Sequence, residues 1–473
     1  MKPTVSAGCP ADSSRRMSGL ICGFCALAAL VGSSMQARAD DWPQFRGIEM
    51  RGWSAETHLA RTWPVAGPKV LWTAAVGTGY GGPAVRDGEV FLLDRDEEQG
   101  QDVLRCLGLA DGREKWRFAY KERGRFSYPG SRGVPTVTAE HVYMIGAAGR
   151  IHCVSRQTHR PVWSANVVED FRDRRLPRKL QTQVPRWGLT QHPVLWKDWL
   201  IVAPYALEAG VVALDRLTGK VRWRSGDVGM NIFCHATPRL ATLGGVEQAV
   251  VLANRDSGQN PPAVISGVEL ATGRVLWQTE TTRPYNIPIP MPVQAGDDRL
   301  FIAGGYGLGC FMLRVAPGRD GGGPWRTELL WQDAAMCTPH VHTPVLYKGR
   351  LYANSFDQFH NACNNGLVCL TTDGRLLWRT GGPGAGADAP NKDGVTFDSG
   401  GFLIADDLVF MVHGRTGELY LIDIGGKEPW RIAARAKVLT AKGRKVWGPP
   451  ALADGRLLVR DLDEMKCLDV SGR

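Results

Sequence analysis

Residues 210–223 read GVVALDRLTGKVRW. Val211, Ala213 and Leu214 are apolar, Thr218-Gly219 supplies a tight turn, and Val221 and Trp223 belong to a second strand. A glycine at the turn adopts the positive φ that a tight hairpin requires. The design recurs: Gly112, Gly273 and Gly374 each stand four residues before Trp116, Trp277 and Trp378, and His159 takes the glycine place before Trp163. Ten residues before Trp116, Trp163, Trp223 and Trp277 stand Cys106, Cys153, Ala213 and Gly267, all small. A small residue, a turn and a Trp at fixed offsets describe one packing unit used many times.

A second marker counts the units independently. A proline followed by apolar residues opens a strand at Pro83, Pro135, Pro193, Pro238, Pro292, Pro344 and Pro450, and Gly400-Gly401-Phe402 fills the remaining place. Proline lacks an N–H, so the first residue of a strand tolerates it. Polar turns such as Asp87-Gly88 and Lys348-Gly349 then precede β-rich runs such as Val90-Phe91-Leu92 and Leu351-Tyr352. Each unit reads as a four-stranded antiparallel blade, and there are eight starts. The Trp-bearing ends are Trp116, Trp163, Trp223, Trp277, Trp331 and Trp378; the seventh end is either Trp430 or the run Lys437-Val438-Leu439. The eighth unit stops near Cys467-Leu468-Asp469-Val470 without a fourth strand, whereas Val70-Leu71-Trp72 is a last strand with nothing before it. The expected fold is therefore all-β: an eight-bladed β-propeller of four-stranded antiparallel blades, closed by the N-terminal strand, which removes open edges.

The 473 residues fit one such domain over 40–473. Residues 1–39 are expected to be a signal peptide: Lys2, Arg15 and Arg16 form a basic start, Leu20 to Val31 is apolar, and Ala37-Arg38-Ala39 is a small-x-small cleavage site. No later stretch is long and apolar enough to span a bilayer as a helix, so a periplasmic or otherwise extracytoplasmic protein is expected. The formal charge of +10 falls to +7 without the leader, a modest excess. Of eleven cysteines, Cys9, Cys22 and Cys25 lie in the leader. Cys106, Cys153, Cys310, Cys369 and Cys467 are read as small buried hydrophobes in the repeat slot. Cys234, Cys337 and Cys363 fall outside it, and a Cys337–Cys363 bridge is left open.

The unit of small residue, Asp or similar, Thr-Gly and Trp resembles the repeat of quinoprotein-type propellers, the pyrroloquinoline quinone (PQQ)-like repeat. The opening Asp41-Trp42-Pro43-Gln44-Phe45-Arg46-Gly47 is similar to the start of secreted bacterial proteins of this type, abundant in planctomycete-type genomes. The resemblance covers nearly all of 40–473. It implies that each Trp packs between neighbouring blades against the glycine and the small residue, which on area grounds gains about 2–3 kcal/mol per blade. It does not select a function, because the fold houses quinone-dependent dehydrogenases, noncatalytic scaffolds of outer-membrane assembly and many secreted proteins.

Dehydrogenases of that kind use a Trp floor, basic residues, a Ca²⁺ site with carboxylate and amide ligands, an Asp base and often two adjacent cysteines. This chain has no Cys-Cys pair and no convincing Asp base motif. His192, His235, His340 and His342 lie just ahead of Pro193, Pro238 and Pro344, so they enter the innermost strands of three blades at the channel mouth. Cys and His in such a ring suit a soft or borderline metal, but no pair has compact ligand spacing, and polar channel liners are the preferred reading. Arg186-Trp187 and Trp447 sit at blade entrances too, where an indole can stack on a ligand or plug the channel. Arg172, Arg174, Arg175, Arg178 and Lys179 form a candidate anion-binding loop, against the commoner reading of a solvated charged face. Nucleic acid is not expected as a partner. The reading is an exported noncatalytic propeller that binds a protein or glycan of the cell envelope, with neither metal nor cofactor. The alternative is a divergent PQQ-dependent dehydrogenase, with Ca²⁺, acting on an alcohol or sugar.

Overall fold

The computed structural model describes residues 41–122, 126–229, 235–254, 261–285, 287–318, 323–357, 364–381 and 394–472. The leader and the cysteines at 9, 22, 25, 234 and 363 lie outside them, as does most of the Gly- and Asp-rich stretch that follows Thr380. Among the described residues, apart from three single-turn 3-10 helices, the regular elements are strands.

Each blade is an antiparallel sheet whose strands follow the chain outward, save for the outermost strand of blade 8, and innermost strands touch between blades 8, 1 and 2 and between blades 5, 6 and 7. The inner strands of blades 1 to 8 begin at Ala84, Thr136, Val194, Arg239, Val293, Val345, Phe402 and Ala451, one residue after the expected prolines and Gly401. Val70–Ala75 pairs antiparallel with Glu464–Asp469 as the fourth strand of blade 8, so the chain's two ends close the ring.

The repeat unit works through its register. Trp116, Trp163, Trp223 and Trp277 lie directly across the strand pair from Cys106, Cys153, Ala213 and Gly267. Each indole then reaches the next blade. Trp72, Trp163, Trp223 and Trp331 donate Nε1–H to the carbonyls of Leu109, Arg216, Leu270 and Thr372 at 2.9–3.0 Å. A Cβ on Gly112, Gly219, Gly273 or Gly374 would lie 2.5–2.7 Å from those same four indoles, so the turn must be bare for the ring to lie on it.

Three details depart from the sequence reading. In blade 5 the last hairpin is long, which breaks the ten-residue spacing. Met312 faces Trp331, while Cys310 pairs with Asp333 and is buried outside the repeat slot. The seventh end is Arg431–Lys437, so neither Trp430 nor Lys437-Val438-Leu439 is its centre; Ala434 takes the Trp place opposite Leu421. Blade 7 also carries a fifth, parallel strand, Trp53–Ser54, beside Phe402–Ala405.

The last departure belongs to a strap. The segment 41–54 crosses one end of the channel instead of wandering over the surface. Trp42 pairs with Val85 of blade 1, the Pro43 carbonyl accepts from Val137 of blade 2, and Arg46 donates to the Thr343 and Pro344 carbonyls ahead of blade 6. Arg239 of blade 4 donates to the Glu49 and Met50 carbonyls. Below the strap's far end, Trp53 joins blade 7.

Candidate functional site

The strap turns the channel into a blind cup of about 220 Å³. Its wall is set by the fold. The residue three places before each strand-opening proline lines it: Tyr80, Arg132, Thr190, His235, Ile289, Val341 and Trp447. The residue one place before lines it in five blades, as His192, Thr237, Met291, Thr343 and Pro449. Phe45 of the strap stacks on His192, ring centroids 3.7 Å apart, and forms the floor. In blade 7 the equivalent position is Asp398, which does not line the cup; it is ion-paired with Arg415 at 3.0 Å and Lys445 at 3.3 Å.

The cup thus joins Trp187, His192, His235, His340, His342 and Trp447, six of the residues expected at the channel mouth. Arg186 is exposed and does not line it, because it points out on the far side of the turn that presents Trp187. Tyr80, Tyr128 and Trp447 form an aromatic cluster with centroid separations of 5.0–6.1 Å.

All four histidines are neutral at neutral pH. Burial lowers His192, His235 and His342 to about 3 and His340 to about 4. The contacts agree with that charge state. His192 Nδ1 accepts the Val134 N–H at 2.9 Å, which leaves its proton on Nε2. His340 Nε2 shares a hydrogen bond with the Tyr306 hydroxyl at 2.8 Å. His235 Nδ1 is buried without a hydrogen-bond partner. Among the described residues no three His, Cys, Asp or Glu side chains converge closely enough to hold a metal ion.

Arg132 is the single cation of the described lining. It is buried, donates to the Gly130 carbonyl at 2.6 Å and to the Tyr128 carbonyl, and burial lowers it to about 10, so it stays charged. A PQQ molecule brings three carboxylates and a Ca²⁺ that needs carboxylate or amide oxygens. One arginine, with no Asp, Glu, Asn or Gln among the described lining residues, does not fit that group. The arrangement can instead clamp an aromatic or amphipathic side chain and offer it hydrogen bonds from neutral imidazoles and hydroxyls.

The basic loop lies elsewhere. Arg172 and Arg174 pair with Glu169 at 2.9 and 3.1 Å, and Arg175 with Asp173 at 2.8 Å. Three of its five cations are therefore compensated within the loop; Arg178 and Lys179 lie on the exposed turn 178–180.

Tyr80, Tyr128, Arg132, Tyr306 and Phe45 had not been singled out from sequence. For Tyr80 and Arg132 a signal existed: the offset of three before the inner-strand proline, which also marks His235 and Trp447. Phe45 and Tyr128 arrive on non-repeating segments, which no periodicity marks.

Eight blades stapled by inter-blade indoles, closed by the N-terminal strand and centred on a blind channel, define a PQQ-like, quinoprotein-type propeller repeat protein. The family described as outer membrane protein assembly factor BamB matches residues 99–358 and 364–471, and the chain belongs to it. Among solved structures, the quinohemoprotein alcohol dehydrogenase from Comamonas testosteroni is 14% identical with a TM-score of 0.55, over 92% of this chain and 81% of that one. A europium-containing methanol dehydrogenase is 12% identical at TM-score 0.54, over 90% and 91%. BamB from Moraxella catarrhalis is 10% identical at TM-score 0.51, over 85% and 100%. At these identities the likeness is one of fold. No curated protein matches the chain.

Proposed function

We propose that this is a noncatalytic scaffold of the cell envelope, exported by its leader as the domain 40–473, whose cup seats a side chain or loop of a protein partner. The composition of the cup carries the reading: Tyr80, Tyr128, Trp187 and Trp447 around neutral histidines, with one buried cation and no carboxylate among the described lining residues. Rigid aromatic pockets of this kind anchor protein interfaces, where a single aromatic contact is commonly worth 2 kcal/mol or more. Membership of the family named for an assembly factor favours the same reading. No described helix is long and apolar enough to cross a membrane.

The test pairs a measurement in envelope preparations with one on the purified protein. Crosslinking in envelope preparations should trap a defined partner that the Tyr128→Ala/Trp447→Ala variant loses. Thermal unfolding should not respond to PQQ with Ca²⁺. A shift with PQQ, joined by dye reduction with alcohols or sugars, would replace the scaffold with the dehydrogenase.

A further inference from the structure

A second cavity, of about 390 Å³, opens on the other side of the strap. It is lined by Arg46, Arg51, Arg239 and Lys348, by one carboxylate, Asp297, which is exposed, and by Gln294, together with an apolar wall that includes Met50, Trp53 and Leu346. Two of the four cations are already compensated. Arg51 pairs with Glu49 at 2.5 Å, and Lys348 pairs with Asp407 at 2.7 Å. The other two differ. Arg46, 8% exposed, spends its guanidinium on the carbonyls of Met50, Arg51, Thr343 and Pro344. Arg239 gives one nitrogen to the carbonyls of Glu49 and Met50, and its buried Nε–H has no acceptor. Among the described residues neither forms an ion pair with a carboxylate. Burial lowers Arg46 to about 9, with the neighbouring Arg239 adding repulsion, and lowers Arg239 to about 10 against the attraction of Glu49, so both remain charged at neutral pH.

Carbonyl dipoles satisfy the N–H groups but leave the net charge. Buried Arg46 and half-buried Arg239 are close enough to repel, and four cations against Glu49, Asp407 and the exposed Asp297 leave the cavity with a net positive charge that calls for an anion. We propose that this cavity is a binding site for a dianionic oxyanion of the phosphate class, held by Arg239 with Arg46 behind it, and that the apolar wall takes the substituent of a phosphate monoester. Guanidinium groups match the geometry and charge of such an anion. A phosphate offers three acceptor oxygens to the two guanidiniums, where a carboxylate offers two. The site lies across the strap from the aromatic cup and is independent of the scaffold reading.

Calorimetric titration of the purified protein tests it with inorganic phosphate, phenyl phosphate, benzoate and sodium chloride at matched ionic strength. Saturable binding of both phosphates, at least tenfold tighter than benzoate and absent with chloride, is expected. A tighter phenyl phosphate identifies a monoester as the ligand class, and equal affinities identify the free anion. Arg239→Gln should weaken phosphate at least tenfold, and Arg239→Lys, which keeps the charge but loses the fork, should weaken it too. Arg132→Gln, in the cup, should leave it unchanged. Phosphate binding no tighter than benzoate, or unchanged in both folded Arg239 variants, overturns the proposal.

Discussion

Gly219 has φ 70°, and a Cβ there would stand 2.7 Å from the Trp163 ring. Gly219→Ala therefore adds backbone strain to a clash with a flat side chain that has nowhere to go. It should cost about 2–4 kcal/mol, read as a lowered urea midpoint with unchanged slope. A loss below 0.5 kcal/mol would mean that the indole is not seated on the turn. The contact also explains two exceptions. His159 accepts a positive φ of 60° in the glycine place and lies flat under Trp116, centroids 4.6 Å apart and planes 11° off parallel. At blade 7 the partners are exchanged: Trp430 stands four before Ala434, and Trp378 packs against it, 6.1 Å between centroids. The glycine-to-Trp offset was legible in four blades, with His159 in the glycine place of a fifth, because the spacing keeps the contact. It failed at blade 7 because the contact survives when large and small trade places.

The strap is the element that gives the channel two sides, and its path was not legible. The sequence Asp41 to Gly47 is aromatic but carries no period, and the strap's anchors are long-range hydrogen bonds, of the backbone at Trp42 and Pro43 and of the Arg46 and Arg239 guanidiniums, rather than a hydrophobic stripe. The cup walls were partly legible for the opposite reason: the prolines that start the inner strands fix the place of the residues just before them. Arg46 is the strap's main fastening. Arg46→Met preserves bulk but leaves the carbonyls of Met50, Thr343 and Pro344 without this donor in a buried place. The change should cost about 3–5 kcal/mol. Hydrogen exchange should then rise in residues 42–52 and at 343–345 while the outer strands keep their protection. Uniform deprotection of all blades would instead mean that the strap is part of the global folding unit.

For the whole molecule, ring closure and channel chemistry meet in the response to acid. The ring is shut by one strand pair, Val70–Ala75 on Glu464–Asp469, so opening any blade opens an edge for the rest. Buried neutral histidines sit in or beside the channel and between blades. Burial holds His192 and His235 at about 3 and His340 at about 4. It holds His152, packed against Tyr120 between blades 1 and 2, at about 4. In the unfolded chain each takes up a proton near 6.5. Between pH 6.5 and about 4 the unfolded state therefore binds more protons, and stability falls with falling pH. The slope is up to about 1.4 kcal/mol per pH unit for each histidine. Asp94 and Asp102, raised by burial, act in the opposite sense and favour the folded state on acidification. Urea midpoints measured from pH 7.5 to 5 should thus fall, most steeply below pH 6.5, and His192→Asn, whose side-chain oxygen can still accept from Val134, should flatten that slope by up to about 1.4 kcal/mol per pH unit. Midpoints that stay level from pH 7 to 5 would mean that the imidazoles take up protons in the fold at the same pH as in the unfolded chain, and the cup would then be cationic by pH 5 rather than a neutral aromatic site.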